Sequence, residues 1–78
     1  MTLEEIRTNM ERCYGHMAHI VFEDDSEITV FVRFYEFAED RDDEEGDHPN
    51  ESVVLVRLDD GRMVAIFESD IKSIEVAD

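Results

Sequence analysis

The stretch ESVVLVRLDDGRMVAIFESDIKSIEV, residues 51–76, limits the fold more than any other part of the chain. Asp60-Gly61 stands between two runs rich in β-branched residues. A two-residue type I′ turn needs positive φ at both central positions, which Asp tolerates and Gly adopts freely. The expected product is a β-hairpin in which Asp59 faces Arg62, Leu58 faces Met63, Val56 faces Ala65 and Val54 faces Phe67. The last three pairs put six apolar side chains on one face. The other face carries Val53, Leu55, Val64 and Ile66 among Arg57 and Glu68, which is too apolar for an open, solvated surface, so both faces need cover. A polar corner at Glu68-Ser69-Asp70 and one more short strand ending near Val76 complete the stretch.

Before the hairpin, Thr2 and Glu5 have the spacing of a capping box, and Leu3, Ile6, Met10 and Cys13 recur at helical spacing up to Gly15. An amphipathic helix is expected over residues 3–14, laid on a sheet as a lid. From Met17 the period falls to two. Ala18, Ile20 and Phe22 mark one strand, Asp24-Asp25-Ser26 an acidic turn, and Ile28, Val30, Val32 and Phe34 a long second strand. Thr29, Phe31, Arg33, Tyr35 and Phe37 occupy its other face, so this strand is expected to bend and to bury one set of side chains before the bend and the other set after it. Residues 39–51 hold eight acids and one Arg with no apolar side chain, the composition of a solvated acidic loop.

At 78 residues the chain makes one domain, near the lower size limit for a core without staples, so oligomerisation would help it. Cys13 is the single cysteine, so no disulfide forms within the chain, and a soluble, cytoplasmic protein is expected. No apolar run approaches the roughly 18 residues of a membrane span. A net charge of −15, from 22 acidic and 7 basic side chains, opposes binding to nucleic-acid phosphates and anionic lipid. Basic partners remain open to it.

The order of helix, two strands, acidic loop, two strands, polar corner and strand resembles the Sm-like family of small barrels, which includes Sm and LSm proteins and the RNA chaperone Hfq. Ile20-Val21-Phe22-Glu23-Asp24 is similar to that family's first strand and acidic turn. Asp70-Ile71-Lys72-Ser73-Ile74 is similar to its link into the last strand. The resemblance implies a strongly bent, five-stranded antiparallel sheet of the SH3-like type, mainly β with an N-terminal helix, whose subunits join through edge strands. Several positions depart from the family pattern. Asp25 replaces the turn glycine, Val30 lies near the usual bend glycine, and Glu68-Ser69 stands at the Arg-Gly pair. The Asp-x-x-Met-Asn segment of the RNA pocket is missing, with residues 36–41 reading EFAEDR in its place.

Few constellations carry chemistry. Cys13, His16 and His19 have ligand-type spacing but straddle the helix end, so convergence on a metal is not expected. Asp40, Asp42, Glu44 and Glu51 fit positions 1, 3, 5 and 12 of an EF-hand frame, yet Glu45 occupies the glycine position and Gly46 falls one place late. Ser69 and Ser73 have no glycine elbow, and the carboxylates sit in solvated runs. No cofactor, metal or enzymatic activity is expected. The leading expectation is an interaction module that binds a protein partner or its own copies, with Leu55, Val64, Ile66, Ile74 and Val76 as interface residues. Two alternatives are an acidic nucleic-acid mimic that blocks a DNA-binding protein and an RNA binder that uses Arg33 and Arg57.

Overall fold

The computed structural model of the protein describes residues 1–40 and 51–78. Helix α1 (Leu3–Arg12) is followed by strands β1 (Met17–Phe22), β2 (Glu27–Glu36), β3 (Val53–Arg57), β4 (Met63–Phe67) and β5 (Ile71–Val76). A 3-10 turn follows β2 at Ala38–Asp40, and another joins β4 to β5 at Glu68–Asp70. The expected loop therefore begins inside a turn, and residues 41–50, with Asp42, Glu44, Glu45 and Gly46 of the EF-hand frame, lie outside the described residues.

The capping box forms. The Glu5 N–H donates to Thr2 Oγ1 at 3.2 Å, and the Thr2 N–H donates to Glu5 Oε1 at 3.2 Å. Cys13 caps the other end, and Gly15, at φ +78°, takes the left-handed turn into β1. Ile6, Met10 and Cys13 are buried against the sheet, while Leu3 remains half exposed.

All neighbouring strands pair antiparallel in the order β4-β3-β2-β1-β5. The sheet is open, with β4 and β5 as its edges, so the expected barrel closure is not present. Strong curvature nevertheless follows from chain length. Edge strands of a flat five-stranded sheet lie about 19 Å apart, but the four steps from Phe67 to Ile71 reach only about 14 Å. The sheet must curl to bring these ends together. Strand β5 pairs with β1 along one edge, from Phe22↔Ile71 to Ala18↔Val76, and the 3-10 turn at Glu68–Asp70 links it to β4 without a β4–β5 ladder.

The bend in β2 comes from a bulge. The β2–β3 register passes from Val32↔Val56 to Phe34↔Leu55 and leaves Arg33 as the extra residue. Val30 and Val32 are buried before it, whereas Tyr35 pairs with buried Val54 after it and Phe34 turns outward, half exposed. The expected switch of buried face thus occurs without a glycine. In β5 a second bulge at Lys72 lets Ile71 and Ile74, three residues apart, both reach the core.

The β3–β4 hairpin differs from the expected one by a single register step. Val54 pairs with Ile66 and Val56 with Val64. The Gly61 N–H donates to the Leu58 carbonyl at 3.0 Å and the Leu58 N–H to the Arg62 carbonyl at 2.8 Å, enclosing the three-residue loop Asp59-Asp60-Gly61. The reason is conformational. A type I′ turn would force positive φ on Asp60, whereas the longer loop places that demand on Gly61 alone, at φ +86°. The step moves Ile66 into the core beside Val54 and Val56 and turns Ala65 outward. The β1–β2 turn has the same hydrogen-bond pattern, with Asp25 at φ +69° in the glycine position.

Candidate interaction surface

The two sheet edges differ in chemistry. Strand β5 carries Lys72 and Glu75, contains a bulge and lies against α1. Strand β4, MVAIF, has no charged side chain, no bulge and no helix beside it, and Met63, Val64 and Ala65 are exposed. Ladder geometry fixes where its backbone groups point. Leu58 bonds Arg62 at one end, and the Glu68 N–H donates to the Ser52 carbonyl at 3.0 Å at the other. Antiparallel alternation then directs the backbone of Val64 and Ile66 toward β3 and that of Met63 and Ala65 toward the free edge. On the outer face, Phe34, Leu55 and Ala65 form an apolar row that reaches this edge.

A concavity of about 520 Å³ runs along β4. Val64 and Ile66 of one β4 face and Ala65 of the other all line it, so it follows the edge of the strand and not one face. Phe22, Ile28 and Leu58, all half-buried, form its apolar floor. Its rim is acidic, from Glu23, Asp24 and Asp70. Asp24 accepts from the Ser26 hydroxyl and N–H, which hold its carboxyl below the usual range. The carboxylates of Glu23 and Asp70 have no hydrogen bond or ion pair among the described residues. The nearby Lys72 ammonium is engaged 2.6 Å from Asp25 Oδ1.

Two contacts fix the strand ends beside this groove. Phe22, at the end of β1, is fixed by pairing with Ile71. Glu68, at the end of β4, is 6% exposed and makes a bidentate pair with Arg7 of α1, Nε to Oε2 and Nη2 to Oε1, both 2.9 Å. Burial pushes the Glu68 carboxyl up, but the Arg7 guanidinium and hydrogen bonding to Ser52 prevail and hold it below the ordinary carboxylate range. The Ser52 hydroxyl, itself buried, accepts from the Ala38 N–H at 3.0 Å. This cluster ties the helix, the end of β4 and the start of β3 together, and sequence spacing carried no signal for it.

Of the residues expected at an interface, Ile66 and Ile74 fill the chain's own core, and Leu55 is half-buried on the outer face. Val64 and Val76 are 37% and 43% exposed, on β4 and β5 respectively. Cys13 is buried, and desolvation, with Asp78 and Glu75 adding to it, pushes its thiol up to about 11. His16 Nδ1 lies 3.3 Å from Asp78 and His19 Nε2 3.5 Å from Glu27, and no group of three potential metal ligands exists among the described residues. Glu51 accepts from the Ser69 N–H at 2.9 Å. Arg33 is exposed at its bulge, and the Arg57 guanidinium lies 5.5 Å from the Phe31 ring centre. A second apolar patch joins Tyr14, Phe34 and Phe37 around Tyr35, with Tyr14 meeting it edge-on at 5.5 Å. No helix among the described residues is long and apolar enough to cross a membrane. Neither a protein-family model, nor a curated protein, nor a solved structure matches this chain.

Proposed function

We propose that the protein is a non-catalytic interaction module that takes up a strand, from a protein partner or a second copy of itself, on the free edge of β4. The carrying observation is that edge: five residues without a charge or a bulge, with the Met63 and Ala65 backbone groups directed outward. Natural sheets blunt such edges unless something pairs with them. An added strand would also extend the Phe34–Leu55–Ala65 row and withdraw Met63 and Val64 from water. Helix-first element order, strand order and the bend in β2 support an Sm-like reading of the fold, in which edge pairing joins subunits. The acidic residues at its RNA-contact positions support protein over RNA as the partner.

The test is solution mass by light scattering over a range of concentration, for wild type and Ala65→Pro. Proline removes the outward N–H of Ala65 and leaves the β3–β4 ladder bonds intact, a position that edge strands tolerate. Self-assembly through β4 predicts a wild-type mass above the monomer that Ala65→Pro restores to the monomer. A wild-type monomer at all concentrations assigns the edge to a different protein. An oligomer indifferent to Ala65→Pro would remove β4 from the interface.

A further inference from the structure

The groove beside β4 specifies what kind of strand it accepts. Resting on the reading of β4 as a docking edge, we infer that the occupant is an extended segment of another protein, apolar at alternate positions and flanked by Lys or Arg.

Three observations carry this. Because both faces of β4 line the concavity, a strand paired with the Met63 and Ala65 backbone lies within it, with alternate side chains directed toward Phe22, Ile28 and Leu58. Those three residues are only half-buried, so apolar side chains of the occupant complete their cover. At the rim the occupant meets Glu23, Asp24 and Asp70, two of them with carboxylates that make no hydrogen bond or ion pair among the described residues, the charge of Glu23 acting on Lys72 only from a distance. Cationic ends on the occupant satisfy them, and acidic ends are repelled.

The same charges select against a second copy. Each chain carries net −15, and neither edge that a second copy would offer is basic: β4 has no charged side chain, and β5 supplies one cation, Lys72, already paired with Asp25. Joining two such surfaces would set carboxylates against carboxylates. A basic partner removes that repulsion.

Fluorescence anisotropy on the full chain with two labelled heptapeptides of alternating Val and Thr, one ended by Lys and one by Glu, tests the inference. The Lys-ended peptide is expected to bind at least about tenfold more tightly than the Glu-ended one at low salt. Glu23→Gln with Asp70→Asn should reduce that preference several-fold, whereas Glu4→Gln with Glu11→Gln, an equal charge change on α1, should leave it intact. Equal loss from both pairs would mean that the Lys peptide answers only to overall charge, and the inference would fall. Ala65→Pro separates the inference from the reading beneath it. If it abolishes binding of two peptides that bind equally well, the edge stands and the basic preference is wrong; if it leaves binding unchanged, the edge itself is wrong. Failure of both peptides to bind, or binding only by displacing a second copy, overturns the inference.

Discussion

The edges of this sheet are two solutions to one problem. Both β4 and β5 are short, antiparallel and have a neighbouring strand on one side only. Strand β5 places Lys72 and Glu75 outward, twists at a bulge and lies against α1, each of which discourages further pairing. Strand β4 has none of these, although 29 of the chain's 78 residues are ionisable acids and bases of the Asp, Glu, Lys and Arg types (22 acidic plus 7 basic). In a chain so rich in charge, five successive uncharged residues on an edge are the feature on which the proposal of a docking edge rests. The difference also has an anchor, because the end of β4 is held to the helix at Glu68 while its middle is left bare.

The largest expected effect comes from that anchor. Arg7→Ala leaves the Glu68 carboxylate, 6% exposed, without its cation. Breaking one side of a buried pair costs about 3–5 kcal/mol, and since Arg7 is itself 31% exposed, a loss of about 2–3 kcal/mol is expected from urea unfolding. The acid response gives the sign. The folded Glu68 pKa lies below the unfolded value of 4.5, so its contribution is present above about pH 4.5 and is lost as pH falls through the folded value. Arg7→Ala should flatten stability against pH below 4.5. A variant as acid-sensitive as wild type would show that other carboxylates govern acid unfolding.

Next in size is Gly61→Val. A Cβ at Gly61 meets nothing within 4 Å, so the penalty is the backbone's alone, φ +86° for a β-branched residue, about 2 kcal/mol. Gly61→Asn should cost much less, since Asn enters the left-handed region more readily. The pair sharpens the view of the β4 edge, because the loop sets which backbone groups face outward. Slippage by one residue would turn the Val64 and Ile66 groups to the free edge, and hydrogen exchange at Met63 and Ala65 would then slow. Equal stability of the Val and Asn variants would show that the loop can adopt another turn.

Much of this architecture was legible in the sequence. The capping box at Thr2 and Glu5, the strand pattern and the bend in β2 follow from local chemistry. What escaped depends on single-residue steps. Period-two patterning does not state where Arg33 or Lys72 is inserted as a bulge, although each insertion exchanges the faces beyond it. In the hairpin, Asp60-Gly61 fits a two-residue and a three-residue loop, and they are separated by the positive φ that the shorter one would force on Asp60 and by the burial of Ile66 beside Val54. Hence Ile66 and Ile74 read as interface residues while belonging to the core. Glu68 reads as a surface acid because its partners, Arg7 and Ser52, lie 61 and 16 positions away in sequence (68 − 7 and 68 − 52). The groove was hidden for the same reason: its lining residues Phe22, Leu58 and Val64 meet only after the sheet curls.

Transferring the guard of one edge to the other has a smaller effect on stability. Val64→Lys puts a cation on β4, as β5 has at Lys72. Because Val64 is 37% exposed and a lysine stem can lie along the groove, the expected cost is about 0.5–1 kcal/mol. Its effect on strand uptake should be large by comparison, bringing the solution mass or the peptide affinity to the level of Ala65→Pro. Retained binding would mean that the floor of the groove, not the edge, holds the occupant.

The smallest change is expected from the reverse experiment, Lys72→Val with Glu75→Val, which strips β5 of its charges. Both side chains are exposed, and the Lys72–Asp25 contact is an ion pair in solvent, so the unfolding midpoint should barely move. The informative readout is solution mass. The bulge at Lys72 is a property of the β1–β5 register, with Ile71 and Ile74 both required in the core, so the altered strand keeps its twist and α1 beside it. On that ground the double variant should retain the wild-type mass, which would assign the quiet of β5 to backbone shape and the helix. A rise in mass that Ala65→Pro does not reverse would show the opposite: charge alone silences β5, and five uncharged residues suffice to make either edge adhesive.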